Sequence, residues 1–312
     1  LIKVIGRFHQ TPIFTLSAKH KKLAFFFGTL SGIFWGLDYT LAGQVHSLLI
    51  TMPFLVSMWL TSIHDLGVAA TISVVQPRSI KKLKELQAWQ FVSICCIPLI
   101  GGLAMTMYML STKTISTGSA IVISSCYPAV GMIAARIILK ESLTKFKVAG
   151  FMVVAIGILV IASDSISGSA ASITGLIFAL SAALFWGLEG VIYKLVLNAG
   201  VSANSLLFLR KISTIFIFLP FTWAVIATVD LNVIGLILLI GIIGYIADLA
   251  YMQAFKYSDV ALAMSLNITY IIWGPIFAAV LFASYMNIYS LIICATLIFL
   301  GNFLIFKSKS VY

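Results

Sequence analysis

The stretch YMLSTKTISTGSAIVISSCY, residues 108–127, aligns without gaps on YMQAFKYSDVALAMSLNITY, residues 251–270. The alignment sets Tyr108 against Tyr251, Lys113 against Lys256, Ala120 against Ala263 and Tyr127 against Tyr270. A second echo precedes each copy: FWGLD at 34–38 and FWGLE at 185–189. Two halves of one chain carry the same unit, and composition says what kind of unit it is.

Of the 312 residues, 61% are hydrophobic and only 9% are charged, where a soluble domain carries about a quarter charged residues. Mean hydropathy is +1.11. These values define an all-α integral membrane protein. The net charge of +11 does not point to nucleic acid, because Lys and Arg fall in short clusters between apolar runs and form no single patch.

A membrane-crossing helix needs about 20 mostly apolar residues. Runs of that kind occur at 23–43, 47–75, 89–110, 117–138, 144–163, 173–197, 203–227, 231–255, 260–283 and 287–306. The first has a long lead of 22 residues and no small-x-small cleavage site after it, so it reads as a retained helix and not a signal peptide. The expected organisation is a basic cytoplasmic tail at 1–22, a five-helix unit at 23–163, a second at 173–306 and a cytoplasmic tail at 307–312.

Basic residues collect on the cytoplasmic side of membrane proteins. Placing the N-terminus there puts 19 of the 20 Lys and Arg inside, a count that includes Lys147, Lys194, Arg210 and Lys211 and leaves Lys113 outside. Both termini are then cytoplasmic, as an even number of spans requires. Five helices per unit is odd, so the second copy inserts upside down relative to the first. Such inverted repeats place a substrate site near the midplane, between the halves.

The FWGL helices show how they pack. Gly28, Gly32 and Gly36 recur every four residues, as do Gly175, Ala179, Ala183 and Gly187, giving each helix a smooth face for another backbone. Trp35 with Asp38, and Trp186 with Glu189, lie three apart and share a face. For Asp38 two readings stand: a cavity group, or an acid near a helix end beside an interfacial Trp. Glu189 lies deeper, which favours function.

Ionisable residues inside a membrane usually face a bundle interior or a wet path. Here they are Asp38, His64, Asp65, Glu189, Arg210 and Asp248. Asp65 has an alternative in the Arg78–Lys84 cluster, and Arg210 has one in snorkelling to the interface. Asp248 is either the group that couples charge to transport or a hydrogen-bond partner for a neighbouring helix. With the repeat-related Trp35, Tyr108, Tyr127, Trp186, Tyr251, Asn267 and Tyr270, these residues are the expected lining and coupling set. Opposite charges at similar depth, Glu189 and Arg210, are expected to pair.

Catalytic signatures are missing: no His-x-Glu-x-x-His, no G-x-S-x-G elbow, no nucleotide-binding loop and no Asp-rich diphosphate motif. The reading is therefore not an enzyme, with no cofactor and no metal. Cys95, Cys96, Cys126 and Cys294 lack metal-site spacing and read as packing residues.

The segment GSAIVISSCYPAVGMIAARIILKESLTKFKVAGFMVVAIGILVI, residues 118–161, resembles the repeat unit of EamA-type transporters of the drug/metabolite transporter superfamily. It has an apolar helix with Tyr-Pro, an acid at a short turn and a returning Gly-containing helix. The resemblance implies a ten-helix 5+5 inverted repeat working by alternating access, with Glu141 as the turn acid and Arg210 as the arginine of the seventh helix. In the second copy Ser284 stands in place of Glu141, and Pro275 is displaced from the position of Pro128. The expectation is a bacterial-type inner-membrane secondary transporter, an exporter of a small organic solute, with protons as a coupling ion. The alternative is a membrane scaffold or lipid-handling subunit that transports nothing. A polar recess reaching the midplane separates the two.

Overall fold

A computed structural model describes residues 18–48, 53–115, 117–163, 172–222 and 229–308. The described chain is helical: α1 (Ala18–Leu48), α2 (Pro53–Val75), α3 (Pro77–Lys81), α4 (Ala88–Thr114), α5 (Thr117–Ser124), α6 (Tyr127–Ile138), α7 (Lys145–Ser163), α8 (Ile173–Asn198), α9 (Ala203–Phe218), α10 (Leu231–Tyr257), α11 (Val260–Asn267), α12 (Tyr270–Phe282) and α13 (Ile288–Lys307). Among the described residues nine spans, counting α5–α6 and α11–α12 as one each, are long and apolar enough to cross a membrane. The 31-residue α1 packs along α10 and α12. The protein is an integral, multi-pass membrane protein.

Two expected spans are broken. The fourth is interrupted at Ser125–Cys126 and the ninth at Ile268–Thr269, the same place in each repeat. Tyr127 and Tyr270 each open the helix after the break, so the aligned tyrosines occupy equivalent positions. Pro128 sits at the start of α6, whereas Ile271 holds that place in α12. Proline is therefore not what both breaks share. Helices interrupted near mid-membrane are the usual supports of a transporter site.

Boundaries also shift. α1 runs on to Leu48, so Asp38 is an interior residue, 3% exposed, and the helix-end reading of it is corrected. α9 ends at Phe218 and passes into a single 3-10 turn, Leu219–Thr222, where Pro220 has no N–H to continue the ladder. Residues 1–17 of the tail expected at 1–22, 309–312 of the tail expected at 307–312, 49–52 of the second expected span and 223–227 of the seventh lie outside the described residues.

Packing repeats with the sequence. In the second half α8 lies on α4 and α5–α6; in the first half α1 lies on α10 and α11–α12. The glycine seams make this possible. A Cβ at Gly36 would stand 2.6 Å from the Trp273 Cβ, and one at Gly187 would stand 2.7 Å from the Val130 Cβ. α7 and α13 pair at the edge. Both ends of the described chain meet at one end of the bundle, where Lys21 Nζ donates to the Ser308 carbonyl at 2.8 Å. We call this the termini end. Of the cysteines, all free thiols, Cys294 is buried, Cys95 and Cys126 are half-buried and Cys96 is exposed.

Candidate functional site

A cavity of about 650 Å³ lies between the halves, walled by the far parts of α1, α2, α4 and α10 and the middles of α8, α9 and α12. It reaches from mid-bundle toward the end opposite the termini. Trp35, Asp38, Tyr39, His64, Asp65, Tyr108, Trp186, Glu189, Arg210, Lys211 and Tyr270 line it.

Among the described residues six of the eight acidic side chains are buried: Asp38, Asp65, Glu141, Glu189, Asp248 and Asp259. A buried carboxylate is costly unless paired; three of the six belong to one charged network beside the cavity, and a fourth, Glu189, to a separate ion pair. His64 bridges two of them, with Nε2 at 2.9 Å from Asp38 Oδ2 and Nδ1 at 3.2 Å from Asp65 Oδ1. An imidazole can donate to a carboxylate on both sides only when it carries both protons. Lys211 continues the chain, its Nζ 2.6 Å from Asp65 Oδ1 and 2.7 Å from Asp248 Oδ2.

Separately, Arg210 Nη2 lies 2.9 Å from Glu189 Oε1, and the Tyr193 hydroxyl donates to the same oxygen at 2.6 Å. The guanidinium also sits over the Tyr193 ring, 5.7 Å from its centroid. Asp65 thus takes Lys211 and not the Arg78–Lys84 cluster, and Arg210 is held by Glu189 and does not snorkel.

Four carboxylates, Asp38, Asp65, Glu189 and Asp248, face two permanent cations, Arg210 and Lys211, with His64 a third when doubly protonated. Counted formally, with every carboxylate ionised, the acidic groups outnumber the cations by at least one. Around them stand aromatic faces: Trp35 stacks on Tyr39 at 4.9 Å, Tyr39 meets Tyr270 edge-on at 5.5 Å, and Tyr108 meets Trp186 at 5.8 Å.

Three residues expected in the lining lie outside it. Tyr127 is buried and donates to Asn267 Oδ1 at 3.0 Å, Asn267 donates to the Ser31 hydroxyl at 2.7 Å, and Tyr251 packs on Phe255 at 4.6 Å. Asp248 is also off the wall, behind Lys211. The pattern follows the repeat. Tyr108, Ser124 and Tyr270 line the cavity while their counterparts Tyr251, Asn267 and Tyr127 are packed beneath it.

Lys211 is the site residue that sequence reading missed. It was assigned to the cytoplasmic charge count, as were Lys147 and Lys194, yet all three are buried. For Lys211 a signal existed: it sits eight residues inside an apolar helix, beyond the first turn where a basic residue serves topology.

The chain belongs to the EamA-like transporter family, whose model matches residues 22–163 and 173–307. The two matches coincide with the two structural repeats. It is 26% identical over 271 residues to Protein LicB of Haemophilus influenzae, covering 80% of this chain and 86% of that one. A solved crystal structure, 17% identical, superposes with a TM-score of 0.68 over 90% of this chain and 95% of its own, which shows the shared fold.

Proposed function

We propose that this protein is a secondary active transporter that carries a small organic cation by alternating access. The observation that carries the reading is the excess of acidic groups over cations beside an aromatic-walled cavity. Buried acidic groups in excess of the cations around them call for a proton or a cationic guest, and aromatic faces stabilise ammonium groups by about 0.5–2 kcal/mol each. A volume of about 650 Å³ suits a small molecule. A scaffold would have no use for such a recess.

Alternating access is supported by the repeat. Of each repeat-related pair one member meets the cavity, Tyr108, Ser124 or Tyr270, and its counterpart in the other copy, Tyr251, Asn267 or Tyr127, is packed away. If the two copies exchange conformations, the second set opens to the termini end as the first closes. The same six positions then line two cavities in turn.

The termini face the cytoplasm in this reading, because exposed Lys19, Lys22, Arg78, Lys81, Lys82, Lys84, Arg136, Lys140, Lys145, Lys256 and Lys307 lie at or near that end. The membrane is a bacterial inner membrane, the direction is export, and protons are the coupling ion. Comparing solutes inside and outside cells that overproduce the chain with cells that lack it tests both cargo and direction. The expected result is one organic cation depleted inside and enriched outside in the overproducer. The opposite pattern would make the protein an importer, and no reciprocal change in any solute would remove the transport reading.

A further inference from the structure

At the termini end four more charged side chains are buried together, away from the cavity: Glu141, Lys147, Lys194 and Asp259. Glu141, in the turn between α6 and α7, accepts the Val260 N–H of α11 on both oxygens, at 3.0 and 3.3 Å. Asp259 caps the same helix, accepting the Leu262 N–H at 2.9 Å, and its second oxygen lies 2.9 Å from Lys147 Nζ. Lys194 of α8 donates to the carbonyls of Phe255 and Ser258, each at 2.7 Å.

Glu141 and Lys147 belong to the first repeat, Lys194 and Asp259 to the second. The cluster therefore ties the two halves together at the end where the cavity is closed. A further tie, between the hydroxyls of Thr144 and Ser308 at 2.5 Å, lies beside it.

The inverted repeat supplies an internal comparison. The positions equivalent to 141, 147, 194 and 259 are Ser284, Ser290, Gly43 and Ser116. None of them is ionisable. A bundle whose two ends closed by equal means would carry matching residues, and this one carries four buried ionisable side chains at one end and none at the mirrored positions of the other.

We propose that Glu141, Lys147, Lys194 and Asp259 form a proton-linked lock that holds the termini end shut and lets it part when Glu141 gives up its proton. The lock rests on the alternating-access reading above. Burial, and then the negative charge of Asp259, push the Glu141 carboxyl up to about 8, against the pull of Lys194, the Val260 N–H and Lys147. Once the end parts and water enters, a glutamate returns to about 4.3. The closed form holds the proton and the open form releases it to the water at that end. Closure is thus favoured at low pH, and the ratio of open to closed rises by up to about tenfold per pH unit between about pH 5 and 8.

Spin labels on cysteines placed at Leu143 and Lys256, both exposed and one in each half, report the width of this end by pulsed dipolar spectroscopy of the purified, otherwise cysteine-free protein. The expected result is a single short distance at pH 5.5 and a growing longer population toward pH 9. Glu141→Gln, nearly the same shape but unable to ionise, should keep the short distance at every pH. Asp259→Ser should show the long distance throughout, and Lys147→Ser combined with Asp259→Ser repeats that test without leaving a charge unpaired. A long population that appears with pH equally in wild type and Glu141→Gln, or opening unaffected by the Asp259 variants, overturns the lock and leaves alternating access standing. No lengthening under any condition, including saturating tetramethylammonium, overturns both.

Discussion

Glu189 and Arg210, on consecutive helices α8 and α9, stand 2.9 Å apart in the wall of the cavity. Removing one member of a buried pair leaves the other charge uncompensated and costs about 3–5 kcal/mol, while removing both costs less. Glu189→Gln and Arg210→Met should therefore each lower the thermal midpoint of the purified protein more than the double variant does. Additive losses would show that the two charges act independently.

Lys211 answers to two carboxylates, Asp65 and Asp248. Lys211→Met should be the most damaging single change in the network, preventing accumulation of folded protein in the membrane. Asp248→Asn keeps a hydrogen-bond acceptor for Lys211 and should fold. Both variants remove one acid from the count, but Asp248 lies behind Lys211 and off the wall whereas Asp38 is on it, so Asp38→Asn should weaken binding of an organic cation at least about tenfold more than Asp248→Asn does, the equivalent of 1.4 kcal/mol. Equal losses from the two variants would return Asp248 to the leading role that sequence reading gave it.

The break between α5 and α6 is matched by one between α11 and α12 that has Ile271 where the first has Pro128. Pro128→Ala should accordingly leave the break in place and change stability by no more than about 1 kcal/mol. A large rise in stability, with the fourth span becoming one continuous helix, would show that the proline imposes the break.

Gly187 approaches Val130 and the Tyr127 carbonyl so closely that an added Cβ would stand 2.7 Å from the Val130 Cβ and 2.9 Å from that oxygen. Gly187→Val should push α8 off α6 and abolish folded protein. Gly43, whose Cβ would meet nothing within 4 Å, serves as the control: Gly43→Val should be tolerated up to the helix-propensity difference of a few tenths of a kcal/mol. Similar behaviour of the two would contradict the close packing at the seam.

Much of this was legible in the chain. Apolar runs gave the helices, and the FWGL pair with the gapless 108–127 and 251–270 match gave the inverted repeat. The pairing of Glu189 with Arg210 followed from depth alone. What sequence could not show was the state of the machine: Tyr108 and Tyr251 are equivalent by alignment, and only the conformation decides which of them faces the cavity. Lys194 and Lys147 mislead because a lysine near the end of an apolar run looks the same whether it marks the cytoplasmic side or reaches inward to a carbonyl or a carboxylate, whereas Lys211, eight residues into its helix, is open to an inward reading. Asp38 looked terminal because Gly43, Gln44 and His46 lowered the hydropathy of the last turns of α1, although the helix continues.

The central claim is that the excess of acidic groups selects a cation. The most direct test is uptake into proteoliposomes of purified protein, offered an equimolar mixture of small organic cations, anions and neutral solutes, with the contents read by mass spectrometry. The account predicts that one or more cations accumulate above protein-free vesicles, that anions and neutral solutes do not, and that Asp38→Asn abolishes the difference. Accumulation of an anion or a neutral solute in preference to every cation would contradict it.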